Sequence, residues 1–255
     1  MPSETAFYTT HVEPLYPAVA TETVIGLITP SNDVLTELEL RRMMHDDSIS
    51  FSAARMKHHE PSTVENLYRH VDEIAKVGEL FDPPGVVKVF AYACTSGSAI
   101  ISQKRLEEEL QTTRPGASLT SPMTGALRAF DRLGVKRIAM LTPYMDQVGA
   151  VVTDALNKSG ISVCASASFH CRNDSEIAGL SPESIFEAAC SFNSSEAEAL
   201  FIPCTLLRTS GIIDRLEARL GKPVITANQA MLWDALSLAQ NRKPVVGHGQ
   251  LLMLQ

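Results

Sequence analysis

The stretch VVKVFAYACTSGS, at residues 86–98, decides the fold class. Its first eight residues are almost continuously apolar and rich in valine, which is typical of a parallel strand buried on both faces. Comparable runs occur at residues 24–29, 49–54, 137–142, 161–165, 199–203 and 223–226. Helical patterns separate most of them, at residues 64–77, 99–110, 122–133, 147–158, 182–191, 210–220 and 228–239. This alternation of strand and helix predicts an α/β fold with parallel sheets.

The chain also contains an internal duplication. IGLITP at residues 25–30 resembles IAMLTP at residues 138–143, an offset of 113. Cys94-Thr95 matches Cys204-Thr205 at an offset of 110, and the match continues without a gap into a shared Arg-Leu-Glu. Because the two offsets are nearly equal and both matches lie at strand ends, they predict two pseudo-symmetric, Rossmann-like α/β lobes.

Each predicted lobe has a cysteine at the end of a buried strand. Ligands of open parallel sheets bind beyond the carboxyl ends of the strands, so Cys94 and Cys204 should face a cleft between the lobes. A helix is expected soon after each cysteine, and its N-terminal N–H groups favour a thiolate. Two thiols facing one cleft can remove a proton from a carbon and return one to its other face. Tyr144, at the same edge, can donate a hydrogen bond to a carboxylate. The competing interpretation, buried thiols that only pack, is weakened by the matched positions.

Composition excludes several classes of protein. The chain has 22 Lys+Arg against 29 Asp+Glu, a formal charge of −7, and no basic face for nucleic acid. The longest apolar runs are too short to span a bilayer. Residues 1–17 lack a basic cluster and an apolar segment, so we expect no secretion signal there. The five cysteines include no CxxC pair, which predicts a reduced, cytoplasmic protein.

The sequence predicts neither a metal nor another cofactor. No G-x-G-x-x-G motif follows the first strand, so a dinucleotide site is not supported. No Cys/His grouping has the spacing of a zinc site. We interpret His58-His59 and His170-Cys171 as solvated or structural side chains. The expected partner is a small carboxylic-acid substrate, and the sequence is compatible with a homo-oligomer.

The chain resembles the aspartate/glutamate racemase superfamily, in the branch of maleate cis–trans isomerases, arylmalonate decarboxylases and ectoine-utilisation proteins. The resemblance runs from about residue 24 to 252. It rests on GLITPSND (26–33), YACTSGS (92–98), RIAMLTPYMDQV (137–148), PCTLLRT (203–209) and GKPVITANQAMLWDAL (221–236). It implies a cofactor-independent enzyme whose paired cysteines act as acid, base or nucleophile. It also implies that residues 1–119 with 228–255 form the first lobe and residues 120–227 the second.

The resemblance assigns roles to single residues. Cys94 and Cys204 match the two family cysteines, and the matched substrate-binding positions are Asn32, Asp33, Thr95, Ser96, Tyr144, Asn173 and Thr205. The decarboxylases have glycine where this chain has Cys94, which disfavours their chemistry here. Maleate isomerases have asparagine where this chain has Asp33, and apolar residues in place of the Thr-Ser-Gly after Cys94. A carboxylate at position 33 repels a dicarboxylate or accepts an amine, unless Asp33 only caps the following helix.

The predicted function is a cofactor-independent, two-cysteine isomerase or racemase of a small carboxylic acid. The acid is either an amino-acid derivative or maleate-like. One alternative is an arylmalonate-type decarboxylase that uses Cys204 alone to protonate an enolate. The other alternative is a non-catalytic protein that binds a small anion, which would need N–H donors but no matched thiols.

Overall fold

Two four-stranded parallel sheets form the framework of the protein, whose computed structural model describes residues 12–13, 23–46, 48–192 and 194–254. The first sheet has the order β2-β1-β3-β4 and the second the order β6-β5-β7-β8. The strands are β1 (Thr23–Pro30), β2 (Ile49–Met56), β3 (Val87–Tyr92), β4 (Ser118–Thr120), β5 (Arg137–Thr142), β6 (Ser162–Ser168), β7 (Ala199–Ile202) and β8 (Val224–Thr226). The identical strand order confirms the predicted pair of pseudo-symmetric α/β lobes.

Helices cover the faces of both sheets. They are α1 (Thr36–Met43), α2 (Val64–Tyr68), α3 (Val71–Gly78), α4 (Thr95–Ile100), α5 (Gln103–Gln111), α6 (Pro122–Leu133), α7 (Asp146–Lys158), α8 (Asp174–Ala178), α9 (Pro182–Ser191), α10 (Ile213–Leu220) and α11 (Ala227–Leu238), with a short 3₁₀ helix at Gln250–Met253. None of the helices in the described part of the chain is both long and apolar enough to cross a bilayer. Most of the segment in which no secretion signal was expected lies outside the described residues.

The structure departs from the expected elements at a few short segments. The pattern at residues 99–110 forms two helices because Ser102 is extended and caps α5, accepting the Arg105 N–H at 3.2 Å. The pattern at 64–77 likewise divides into α2 and α3. The strand β4 was not expected, since its three residues are too few to show an apolar run. The helix α8 was not expected either, whereas α1 is the helix that was expected after Asp33.

Helix α11 joins the two lobes. Its residues 227–236 are all buried, and it packs against α6 and contacts β3, β4 and β8. Gly125 of α6 allows a close approach, because a Cβ at this position would lie 2.4 Å from the Ala230 carbonyl oxygen. The strands divide between residues 23–120 and 137–226, whereas α11 touches both sheets. The exact lobe boundaries at residues 119/120 and 227/228 stay a prediction.

Candidate active site

A cavity of about 230 Å³ opens where the carboxyl ends of the strands from both sheets meet. Cys94 reaches it just after β3, Tyr144 after β5 and Cys204 after β7. The predicted site residues that line this cavity are Asn32, Asp33, Cys94, Ser96, Tyr144, Asn173, Cys204 and Thr205. Thr95 does not line it, because its hydroxyl points into the contact between the lobes.

Cys94 lies immediately before α4 and is 8% exposed. Its sulfur accepts the Gly97 N–H at 3.3 Å and lies 3.7 Å from Ser96 Oγ, and the Tyr92 hydroxyl also hydrogen-bonds to it. Burial raises the pKa of the thiol, and these three donors oppose that rise. The expected donors at the helix N-terminus are therefore present, but desolvation outweighs them. Cys94 is a protonated thiol near neutral pH.

Cys204 is held by a loop rather than by a helix. Its φ of 93° lies in the left-handed region, which is strained for any residue other than glycine. Burial raises the pKa of its thiol, while hydrogen bonds from the Tyr144 side chain and the Leu206 N–H lower it. Helix α10 begins only at Ile213, nine residues after Cys204. The expectation of a helix N-terminus beside this cysteine was wrong.

The residue after each cysteine bonds across to the other lobe. Thr95 Oγ1 accepts the Cys204 N–H at 3.2 Å. Thr205 Oγ1 donates to the Ala93 carbonyl oxygen at 3.3 Å. Asn228, which the sequence did not indicate, donates from Nδ2 to the Thr205 carbonyl oxygen at 2.9 Å. These bonds fix the two cysteine loops against each other.

The Asp33 carboxylate is buried and engaged in the first turn of α1. Oδ1 accepts the N–H groups of Leu35 and Thr36, both at 2.9 Å, and Oδ2 accepts the Thr36 hydroxyl at 2.5 Å. Burial raises the pKa of Asp33, and the bonds from Thr36 oppose that rise. Its neighbour Asn32 donates from Nδ2 to Asp174. Asp33 thus accepts hydrogen bonds from the N–H groups at the start of α1 and also lines the cavity.

Tyr144 and Asn173 lie in different parts of the wall. Tyr144 is 8% exposed, and burial raises its pKa well above the usual value, so its hydroxyl remains a donor. That hydroxyl hydrogen-bonds with the side chains of Cys204 and Thr95. Asn173 is exposed at the rim, where its Oδ1 accepts the Glu176 N–H at 2.9 Å and caps α8.

Sequence reasoning missed a polar group in the cavity wall. His58 Nε2 lies 3.2 Å from Ser62 Oγ and 3.6 Å from the carboxylates of both Glu60 and Asp174. The His58 side chain is only 5% exposed, so of the two expected readings, solvated or structural, the structure supports the structural one. No sequence signal links these residues, because α8 is brought to the end of β2 only by the fold. One ring nitrogen of His58 and one carboxylate oxygen each of Glu60 and Asp174 lie within 4.8 Å of one another, close enough to be ligands of a single cation. Within this cluster, Ser62 Oγ hydrogen-bonds with His58 Nε2, and Asn32 Nδ2 donates to Asp174.

Comparison with known proteins places this arrangement in a family. A family model described as arylmalonate decarboxylase matches residues 25–252. The chain belongs to the arylmalonate decarboxylase family. This assignment confirms the resemblance to the branch that also holds the maleate isomerases.

Three relatives illustrate the family. Maleate isomerase of Alcaligenes faecalis is 26% identical over 246 residues, which cover 88% of this chain and 94% of the relative. The solved structure of maleate isomerase Iso from Pseudomonas putida S16 has a TM-score of 0.83 and 24% identity, over 91% of this chain and 98% of that one. A cysteine-to-serine mutant of Nocardia farcinica maleate cis–trans isomerase, with a covalently bound succinylcysteine intermediate, has a TM-score of 0.80 and 22% identity, covering 91% and 99%. The family and the fold are therefore established for this chain.

Proposed function

We propose that the protein is a cofactor-independent isomerase or racemase of a small carboxylic acid that uses Cys94 and Cys204 together. The observation that carries this proposal is one cavity lined by two buried thiols, one from each sheet. Each thiol is protonated near neutral pH and has donors positioned to stabilise its thiolate. Each can therefore donate a proton and, after losing it, serve as a base or nucleophile.

Two reactions fit this pair of thiols. In racemisation, one thiolate removes the proton from the carbon next to the carboxylate, and the other thiol delivers a proton to the opposite face. In cis–trans isomerisation, a thiolate adds to the double bond, the carbon–carbon bond rotates, and the carbon–sulfur bond breaks again. The succinylcysteine in the Nocardia farcinica relative supports the second reaction.

Hydroxyl groups near the thiols suit the substrate carboxylate. Ser96 and Tyr144 line the cavity with O–H groups, and burial keeps the tyrosine protonated. Such fixed donors stabilise an enolate oxygen as negative charge develops on it. We assign both side chains to the carboxylate end of the substrate.

The charges around the cavity favour an amino-acid derivative as substrate. Asp33, Glu60 and Asp174 contribute carboxyl groups to its lining. The cationic side chain in the lining, Arg172, is already paired with Glu176 at 2.8 Å. A second carboxylate on the substrate would be repelled by these groups, whereas an ammonium or amide N–H would find acceptors. The names of the relatives favour maleate, so both substrates belong in the assay.

The test is turnover of maleate, aryl-malonates, hydantoins and amino-acid enantiomers by the wild type and by three serine variants. Cys94→Ser and Cys204→Ser should each lower kcat/KM more than about tenfold, or ~1.4 kcal/mol, because serine is not ionised near neutrality. Cys190→Ser, on α9 and away from the cavity, should keep full activity.

Two outcomes contradict the proposal. A Cys94→Ser protein that keeps more than about a tenth of kcat/KM indicates a one-cysteine reaction such as decarboxylation. Saturable binding of a small anion without turnover by the wild type indicates a binding protein.

The five free cysteines support our further proposal of a cytoplasmic location. A homo-oligomer stays a prediction.

A further inference from the structure

A line of hydrogen-bonding groups runs from Cys94 away from the cavity and back to its rim. The Tyr92 hydroxyl hydrogen-bonds to the Cys94 side chain. The same hydroxyl lies 2.7 Å from Nδ1 of His70. His70 Nε2 lies 3.3 Å from Nδ1 of His58. The line thus links a cavity thiol to a second side chain of the cavity wall.

The far end of this line reaches carboxylates. His58 Nε2 faces Ser62 Oγ at 3.2 Å and lies 3.6 Å from the carboxylate oxygens of Glu60 and Asp174. Burial raises the pKa of Asp174, so this carboxylate takes up a proton more readily than a solvated one. The side chain of Glu60 is 60% exposed, which connects this end to solvent.

The middle of the line is closed off from both solvent and substrate. Tyr92 and His70 are both fully buried, and neither lines the cavity. A Cβ at Gly97 would lie 2.0 Å from the Tyr92 hydroxyl oxygen and 3.1 Å from Cys94 Sγ. Only glycine at position 97 therefore leaves room for the tyrosine hydroxyl beside the thiol. Buried polar groups that bond chiefly to one another in this way polarise one another.

His70 is suited to pass a proton without becoming charged. Burial, and then the neighbouring His58, lower the pKa of His70 to about 4. Its ring is therefore neutral near pH 7, with one nitrogen donating and the other accepting. Such a ring passes a proton along by exchanging its two tautomers.

We propose that Cys94 exchanges its proton with the carboxylates at the cavity rim through Tyr92, His70 and His58. The S–H bond breaks as the Tyr92 oxygen accepts the proton, and Tyr92 gives its own proton to His70 Nδ1. His70 releases its Nε2 proton to His58 Nδ1, and His58 releases its Nε2 proton to Asp174 when the two groups close the 3.6 Å that separates them. The net result is a Cys94 thiolate and a neutral Asp174, and the reverse sequence restores the thiol. This proton exchange rests on the proposed function in one respect: its role is to ionise and reprotonate Cys94 in each turnover.

Other charged and titratable groups face this line along its length. The charges of His59 and Glu73 interact electrostatically with His70. Those of Asp33 and Glu60 interact with Asp174. Cys94 interacts in the same way with Asp174, Cys204 and Tyr144. Tyr92, His70 and His58 act through Cys94, so they are positioning residues.

The first test measures thiol reactivity in the full-length protein without substrate. Iodoacetamide labels Cys94 and Cys204, and peptide mass spectrometry follows the rate at each of them against pH. In Tyr92→Phe the rate at Cys94 near pH 7 should fall about tenfold or more, since the thiolate loses an O–H donor. The rate at Cys204 in the same samples should change by less than about twofold. Tyr68→Phe, at an exposed tyrosine, should change neither rate.

His70→Gln should slow the labelling of Cys94 in the same direction. An unchanged rate at Cys94 in both variants overturns the proposal. An equal fall at Cys94 and Cys204 also overturns it, because that result indicates a general disturbance of the cavity.

The second test needs no variant. Nitrogen-15 spectra of the histidine rings in the wild type should show His70 neutral throughout the pH range in which Cys94 ionises. Its proton should move from Nε2 to Nδ1 with the same midpoint as the labelling of Cys94. One fixed tautomer across that range overturns the relay.

Turnover separates this proposal from the proposed function. On an acid that the wild type converts, Tyr92→Phe should lower kcat and leave KM unchanged, because Tyr92 does not line the cavity. A wild type that converts none of the tested acids contradicts the proposed function alone. The labelling and the ring spectra still decide the relay in that case.

Discussion

The buried imidazole of His70 links the stability of the folded protein to pH. Its pKa is about 4 in the folded protein against an ordinary value of 6.5. Between these values the unfolded chain binds a proton that the folded protein excludes, so the free energy of unfolding falls on acidification. The stabilisation from His70 is complete above pH 6.5 and is lost as the pH falls toward 4, a difference of about 3 kcal/mol.

Urea unfolding at several pH values measures this effect. His70→Gln should show a shallower fall in the free energy of unfolding between pH 6.5 and 4 than the wild type, whereas His45→Gln, at an exposed site, should follow the wild type. The buried carboxyls Asp33 and Asp174 have raised pKa values and act in the opposite sense, so the comparison between variants is needed. Equal slopes for His70→Gln and the wild type would contradict the assignment.

At the scale of residues, the sequence indicated those functional side chains that directly follow an apolar run and so lie at the end of a predicted strand. Cys94 and Cys204 could be found because the duplication places both at such ends. The line through Tyr92, His70 and His58 could not, because its members lie on β3, on the turn before α3 and after β2. The parallel pairing of β1 with β2 and with β3 brings the ends of β2 and β3 to one edge of the sheet. No sequence pattern places the turn before α3 beside them.

At the scale of elements, the packing of α6 on α11 depends on one missing side chain. A Cβ at Gly125 would lie 2.4 Å from the Ala230 carbonyl oxygen and 2.9 Å from the Met231 nitrogen. Because both neighbours are backbone atoms, the helices must separate. We expect Gly125→Ala to lower the free energy of unfolding by about 1–3 kcal/mol, measured by urea denaturation.

Gly149 provides the matched control for that substitution. It lies within α7, and a Cβ there would meet only Thr142 Cγ2, at 4.0 Å. Gly149→Ala should therefore leave stability unchanged or raise it by up to about 1 kcal/mol, because alanine is the better helix former. A Gly125→Ala protein as stable as Gly149→Ala would show that the helix contact tolerates the extra methyl group.

The order of long strands and helices was predictable because apolar runs and amphipathic stretches repeat regularly. The strand β4 was not, since its SLT sequence pairs with β3 only through its position in the sheet. The helix α1 was not indicated by hydrophobic periodicity, and its first turn depends on the buried Asp33 carboxylate. Short elements of this kind depend on tertiary contacts that a single sequence does not display.

At the scale of the whole molecule, Glu39 connects the lobes through a buried carboxylate. It lies on α1, and its Oε2 accepts the N–H groups of Thr209 and Ser210 at 2.8 and 2.7 Å in the loop after Cys204. Glu39→Met removes the acceptor and leaves two buried donors unpaired. We expect a loss of roughly 3 kcal/mol in the free energy of unfolding.

Glu37 on the same helix gives the comparison for Glu39. Its partner Arg55 lies at 2.6 Å, but both side chains are partly exposed, at 34% and 44% respectively. Glu37→Met should cost no more than about 1 kcal/mol. If both variants lost the same free energy of unfolding, the charge of α1 rather than the hydrogen bonds from Glu39 to the loop would account for the stabilisation.

The left-handed backbone at Cys204 carries information about selection on this chain. A residue other than glycine at such a φ destabilises the fold by about 1–2 kcal/mol, a sizeable share of the margin that keeps a domain folded. Mutational drift in a lineage selected only for folding would favour glycine at this position. A cysteine there therefore gives up stability that a glycine would keep. We infer that the proposed role of the thiol, rather than the fold, accounts for the cysteine at position 204.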